Sequence, residues 1–101
     1  MKRYAYVLDG AAMTDKNDFY EQVIAQMTDE PDFTPGHNLD ALRDLLAGGF
    51  GKHPYGAKLR ITWKHFNAAV QVLGETYMLK IIGIMTDANA DYDCILKTEN
   101  D

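Results

Sequence analysis

Two aspartates, Asp40 and Asp44, lie four residues apart in the stretch from Gly36 to Gly49, GHNLDALRDLLAGG. On a helix that spacing puts their Cβ atoms about 5–6 Å apart on one face, where like charges cost a few tenths of a kcal/mol. Asp40 falls in the first turn, where the helix dipole favours an anion, but Asp44 is near the middle and gains nothing from it. Folding alone therefore leaves Asp44 unexplained. Three chemistries use such residues. With His37, the pair forms an i, i+3, i+7 array that offers ligands to a first-row transition metal, yet one helix face supplies no convergent ligand from a second element. Acid–base catalysis asks for two carboxyl groups in different environments within a dry concavity. Two aspartates on one convex helix share their environment. What suits them is entry into a partner's pocket, as stand-ins for phosphates held by Arg, Lys and His. The residues point to binding, without metal or cofactor, rather than to an enzyme.

Other sites of chemistry are sparse. The chain has no serine, so a serine nucleophile and the G-x-S-x-G elbow are excluded. Gly48, Gly49 and Gly51 follow a helix instead of joining a strand to one, which reads as a turn and not as a phosphate loop. His53, among Gly51, Lys52 and Pro54, and His65, beside a helix start, read as surface residues. The single cysteine, Cys94, lies in an apolar run and reads as a small buried hydrophobe.

The helix carrying the aspartates is well specified. Asn38 caps it, Leu39, Leu42, Leu45 and Leu46 form one apolar stripe, and Gly48 is placed to stop it in the left-handed conformation. Before it, Tyr4 to Leu8 reads as a strand ending at the Asp9-Gly10 turn, and Thr14 or Asp15 caps a helix with Phe19, Val23 and Met27 on its buried side. After it, Leu59, Ile61 and Trp63 alternate with Lys58, Arg60 and Thr62, the pattern of a half-buried edge strand. A helix over Phe66 to Leu73 is closed by Gly74. Another runs from Glu75 to Asp87, where Gly83 implies close packing. Tyr92 to Lys97 forms a last strand. Strands alternating with helices predict an α/β fold, a small three-stranded parallel sheet packed by about four helices in one domain, residues 1–101.

Composition agrees. A chain of 101 residues, 47% hydrophobic and 25% charged, is ordinary for a globular protein and buries roughly 60–70% of its unfolded surface. A net charge of −5 opposes sequence-independent nucleic-acid binding and suits a basic macromolecular partner. The apolar run from Tyr4 to Leu8 is too short for a membrane span or a signal-peptide core, so the chain is expected to be cytoplasmic.

Gly36, Asn38, Leu39, Asp40, Ala41, Leu42, Asp44 and Leu46 together match G-x-N-L-D-A-L-x-D-x-L, a pattern that resembles the barstar family. Trp63 and Phe66 in a W-x-x-F arrangement and the Leu73-Gly74 break follow in the family's order, and the resemblance extends from Tyr4 to Lys97. It implies an intracellular inhibitor of a small secreted guanyl-type bacterial ribonuclease, monomeric when free, with the second helix plugging the active site. Asp44 would then mimic a phosphate in the catalytic pocket and Asp40 would bind basic groups nearby. Asn38, Arg43 and Ala47 on the helix, Thr34 before it, and Gly48, Gly49 and Phe50 after it would complete the contact surface. Departures cluster on that surface. Thr34-Pro35 replaces a tyrosine pair, and Arg43 and Gly49 replace aromatics. The acidic contact of the last helix falls at Ile84, with Asp87 one turn on. Arg43 would repel a basic target unless paired with Asp40 or met by an acid on the target, so a different cognate nuclease is expected. The alternative is a barstar-like interaction module with a partner that is not a ribonuclease.

Overall fold

The computed structural model describes residues 2–29 and 35–100. Strand β1 (Tyr4–Asp9) leads through a short 3-10 turn, Gly10–Ala12, into helix α1 (Lys16–Met27). Helix α2 (Leu39–Ala47), strand β2 (Lys58–Lys64), helices α3 (Phe66–Leu73) and α4 (Glu75–Met85), and strand β3 (Asp93–Thr98) follow. The three strands are parallel in the order β1-β2-β3, with Tyr6 opposite Ile61 and Ile61 opposite Leu96.

The strand expected at the edge is thus the central one, and the reason lies in the sheet's two faces. Leu59, Ile61 and Trp63 are fully buried under the helices, while Arg60 points outward between the exposed Ala5 and Ile95. Parallel sheets are usually covered on both faces. Here one face is open, so even the middle strand alternates. The outer edge of β1 is closed by side chains of α1. Gln22 exchanges hydrogen bonds with the backbone N–H and C=O of Asp9 at 2.9 and 3.0 Å, and Gln26 does the same for Val7 at 2.9 and 2.5 Å. Two amides thereby take the place of a fourth strand and block pairing with another chain.

Trp63 anchors the core. Its ring stacks on Phe19 at 5.4 Å and meets Phe66 edge-on at 5.4 Å, which explains why a tryptophan on β2 and a phenylalanine three residues later act together. At the start of α1 it is Asp15, and not Thr14, that caps the helix, accepting from the Asp18 N–H at 3.0 Å. Thr14 instead donates to the Asp18 carboxylate.

Helix α4 stops at Met85, two residues short of the expected end. Thr86 Oγ1 donates to the Ile82 carbonyl at 2.7 Å, and the Asp87 carboxylate accepts from the Asn89 N–H at 2.9 Å, turning the chain away. Tyr92, expected within the last strand, precedes it as a buried residue whose hydroxyl donates to the Ile84 carbonyl at 2.5 Å. Gly83 does not mark close packing, because a Cβ there would meet nothing within 4 Å. Glycine inside an exposed helix is worse than alanine by about 1 kcal/mol. Gly83→Ala is therefore expected to stabilise the fold by about 0.5–1 kcal/mol, seen as a rise in melting temperature of a few degrees. A drop would mean that the open space is filled in solution.

Candidate functional site

Helix α2 lies between α1 and α4. The Asn38 side chain accepts from the Ala41 N–H at 2.8 Å, which sets the start of the helix and with it the register of every side chain that follows. Leu42, Leu45 and Leu46 are fully buried and Leu39 is half-buried. Opposite this stripe, Asp40, Arg43 and Asp44 are exposed. Neither aspartate side chain has a hydrogen bond or ion pair among the described residues. The helix is fixed on one face and offers two unpaired carboxylates on the other.

Arg43 does not pair with Asp40. Its guanidinium crosses to the end of α4 and donates to the Asp87 carboxylate at 3.1 Å. Asp87 is held below the usual carboxylate range, chiefly by the Asn89 N–H and then by Arg43. A surface pair of this kind adds little to stability, but it offsets the cation that interrupts the acidic face. Ile84, where the acidic contact of the last helix was expected to fall, is buried.

His37 turns away from the aspartates. Its ring stacks on Tyr20 at 5.6 Å, and its nitrogens lie 2.9 Å from Asn17 and 3.0 Å from Glu21, all on α1. The three-ligand array allowed by the spacing is therefore not assembled.

The edge of the site is the connection after α2. Gly48 has the positive φ expected of it, 97°, but its ψ of −173° is extended and not left-handed helical. A Cβ there would lie 2.5 Å from the Pro54 oxygen and 2.6 Å from His53 Cδ2, so only glycine fits. Gly49 is exposed and Phe50 half-buried beside it. The Asp29 N–H donates to the Phe50 carbonyl at 3.0 Å, and Thr28 bridges Gly51, tying this edge to the end of α1. Thr34 lies outside the described residues.

His53 was expected at the surface and is instead buried, 3% exposed. Its Nε2 is 3.1 Å from the Leu46 carbonyl and its Nδ1 is 2.6 Å from the Tyr6 hydroxyl. A carbonyl only accepts, so Nε2 carries the proton and Nδ1 accepts from Tyr6. Burial pushes the imidazole's pKa below its ordinary value of 6.5. Backbone bonds from Gly49 N–H to the His53 carbonyl and from Gly56 N–H to the Ala47 carbonyl, both 2.9 Å, close the loop. His53 thus joins β1, the end of α2 and the loop that borders Asp44. No periodicity announces it, because it sits in an irregular loop whose anchor is 47 residues away in sequence.

Together these observations define a small parallel α/β protein that presents exposed aspartates on the outer face of α2. The family model described as Barstar (barnase inhibitor) matches residues 4–100, and the chain belongs to that family. Membership implies a function of the barnase-inhibitor kind, with a ribonuclease as the kind of partner. No curated protein matches the sequence.

Proposed function

We propose that the chain is a non-catalytic, cytoplasmic inhibitor of a small, basic, guanyl-type ribonuclease, which it binds one to one through α2. Asp44 occupies the phosphate position of the nuclease pocket, Asp40 pairs with cations nearby, and Asn38, Ala47 and the Gly48 to Phe50 edge surround them. The observation that carries this reading is the pair of exposed carboxylates, without hydrogen bonds or ion pairs among the described residues, on a helix whose other face is locked into the core. Such a surface is already shaped before binding, so little ordering entropy opposes association.

The test is RNA cleavage by a panel of small bacterial ribonucleases with and without the purified chain. Stoichiometric inhibition of at least one is expected. No inhibition across the panel would favour the interaction-module reading, in which the aspartates are only a surface patch. Association should also be steered by charge, so its rate constant should fall at least tenfold between about 50 and 500 mM salt, while a salt-independent rate would remove the electrostatic argument.

A further inference from the structure

A notch of about 270 Å³ opens beside Asp44, between α2 and the turn that precedes β3. Asp44 and Ala47 line it from the helix, Asp91 from the turn, and Tyr55 from the connection after α2. Tyr55 is 65% exposed, unusual for so large a ring. It is nevertheless held in place, since its hydroxyl donates to the Asp91 carboxylate at 2.6 Å. That bond and the neighbouring negative charge push the phenol's pKa up, so it stays a donor.

An aromatic ring fixed in one position loses little freedom on binding, and such rings dominate protein interfaces. The sequence carries no aromatic at positions 43 and 49 of the acidic face, but the fold brings one to the same face from position 55. With Asp44 and Asp91 lining the same notch, the ring offers a π face and two carboxylates to a planar cation. Arginine fits this better than lysine, because its guanidinium stacks on a ring while donating in plane. Arg43, at the same notch, is tied to Asp87 and leaves the acidic character in place.

We infer that Tyr55 is the aromatic anchor of the partner surface and that its notch takes an arginine side chain of the basic partner. The inference rests on the inhibitor reading for the identity of that partner, but the chemistry of the notch has its own test. In the first experiment the free chain is titrated with N-acetyl-arginine amide, with N-acetyl-lysine amide as control, while NMR follows the ring of Tyr55 and the amides of Ala47 and Asp91. Millimolar, saturable shifts confined to the notch are expected with the arginine compound, at least threefold weaker with lysine and lost in Asp91→Asn. Absence of any shift at Tyr55 overturns the arginine assignment.

The second experiment measures inhibition of a ribonuclease that the unmodified chain inhibits. Tyr55→Ala should weaken it at least tenfold with an unchanged melting temperature, and Tyr55→Phe, which keeps the ring but loses the bond to Asp91 that holds it, should weaken it by less. If Asp44→Ala weakens inhibition and Tyr55→Ala does not, the anchor role is overturned while the inhibitor reading stands. If no ribonuclease is inhibited, that reading fails, and the arginine titration still decides what the notch binds.

Discussion

Asp44→Ala is expected to weaken ribonuclease inhibition by at least about 2 kcal/mol, roughly 30-fold, while leaving stability within about 0.5 kcal/mol of the unmodified chain. The two halves of this expectation come from different faces of one helix. Asp44 is exposed and its side chain has no hydrogen bond or ion pair among the described residues, so its removal strands nothing inside the fold. Relief of repulsion with Asp40 offsets part of any helix penalty. In the proposed complex the balance reverses, because truncating one member of a desolvated charge pair would leave the partner's cations buried without a counter-charge. Hot-spot losses of this size are known for such contacts, on a scale to which the barnase–barstar pair itself contributed. Asp44→Asn keeps the shape and removes the charge, so it should lose most of the same affinity. Full inhibition by both variants, measured by RNA cleavage at matched concentrations, would remove Asp44 from the site.

The outward placement of Asp44 was legible in the sequence because its signal is local. A helix of nine residues with a leucine stripe assigns each side chain to a face by periodicity alone, and a carboxylate that the dipole does not favour then stands out. The alternation of β2 was equally legible, but its meaning was not. Alternation reports that one face of a strand is covered, and only the neighbours on either side decide whether the strand is central. Gly83 failed for a related reason, since a helix glycine can mark either close approach or plain tolerance of an exposed weak position. Arg43 shows the limit of spacing on a single helix. Asp40 is its neighbour on α2, but Asp87, 44 residues later, takes the hydrogen bond. Tyr55, Asp91 and His53 lie in irregular segments where no period applies, and tertiary contacts alone give them their places.

His53 is where such a contact has the largest consequence for stability. His53→Ala would leave the Tyr6 hydroxyl and the Leu46 carbonyl buried without their partner, each costing about 1–3 kcal/mol, together with a cavity. A loss of about 3–5 kcal/mol is expected at pH 8, a large share of the stability of a domain this size. The pH dependence separates the imidazole from its surroundings. Burial lowers its folded pKa below 6.5, so between that folded value and 6.5 the unfolded chain binds a proton that the folded chain does not. Stability is then full above about 6.5 and falls with pH by up to about 1.4 kcal/mol per unit until the folded value is reached. Tyr6, its pKa pushed up to about 12 mainly by burial, keeps its proton throughout. Tyr4, the other titratable ring against His53, stands 6.0 Å away. Asp9, Asp18 and Asp87 have depressed pKa values, from the His65, Thr14 and Asn89 hydrogen bonds first of all. Their stabilisation is present above the ordinary carboxylate range and is lost only below about pH 4. Two acid steps are therefore expected in urea unfolding between pH 3 and 8. In His53→Gln the side-chain amide still reaches the Leu46 carbonyl but does not titrate, so the upper step should flatten while the lower one remains. His37 and His65 are present in both proteins and cancel in the difference. An upper step unchanged in His53→Gln would show that another group produces it, and that the buried imidazole does not set the pH range over which the end of α2 is held.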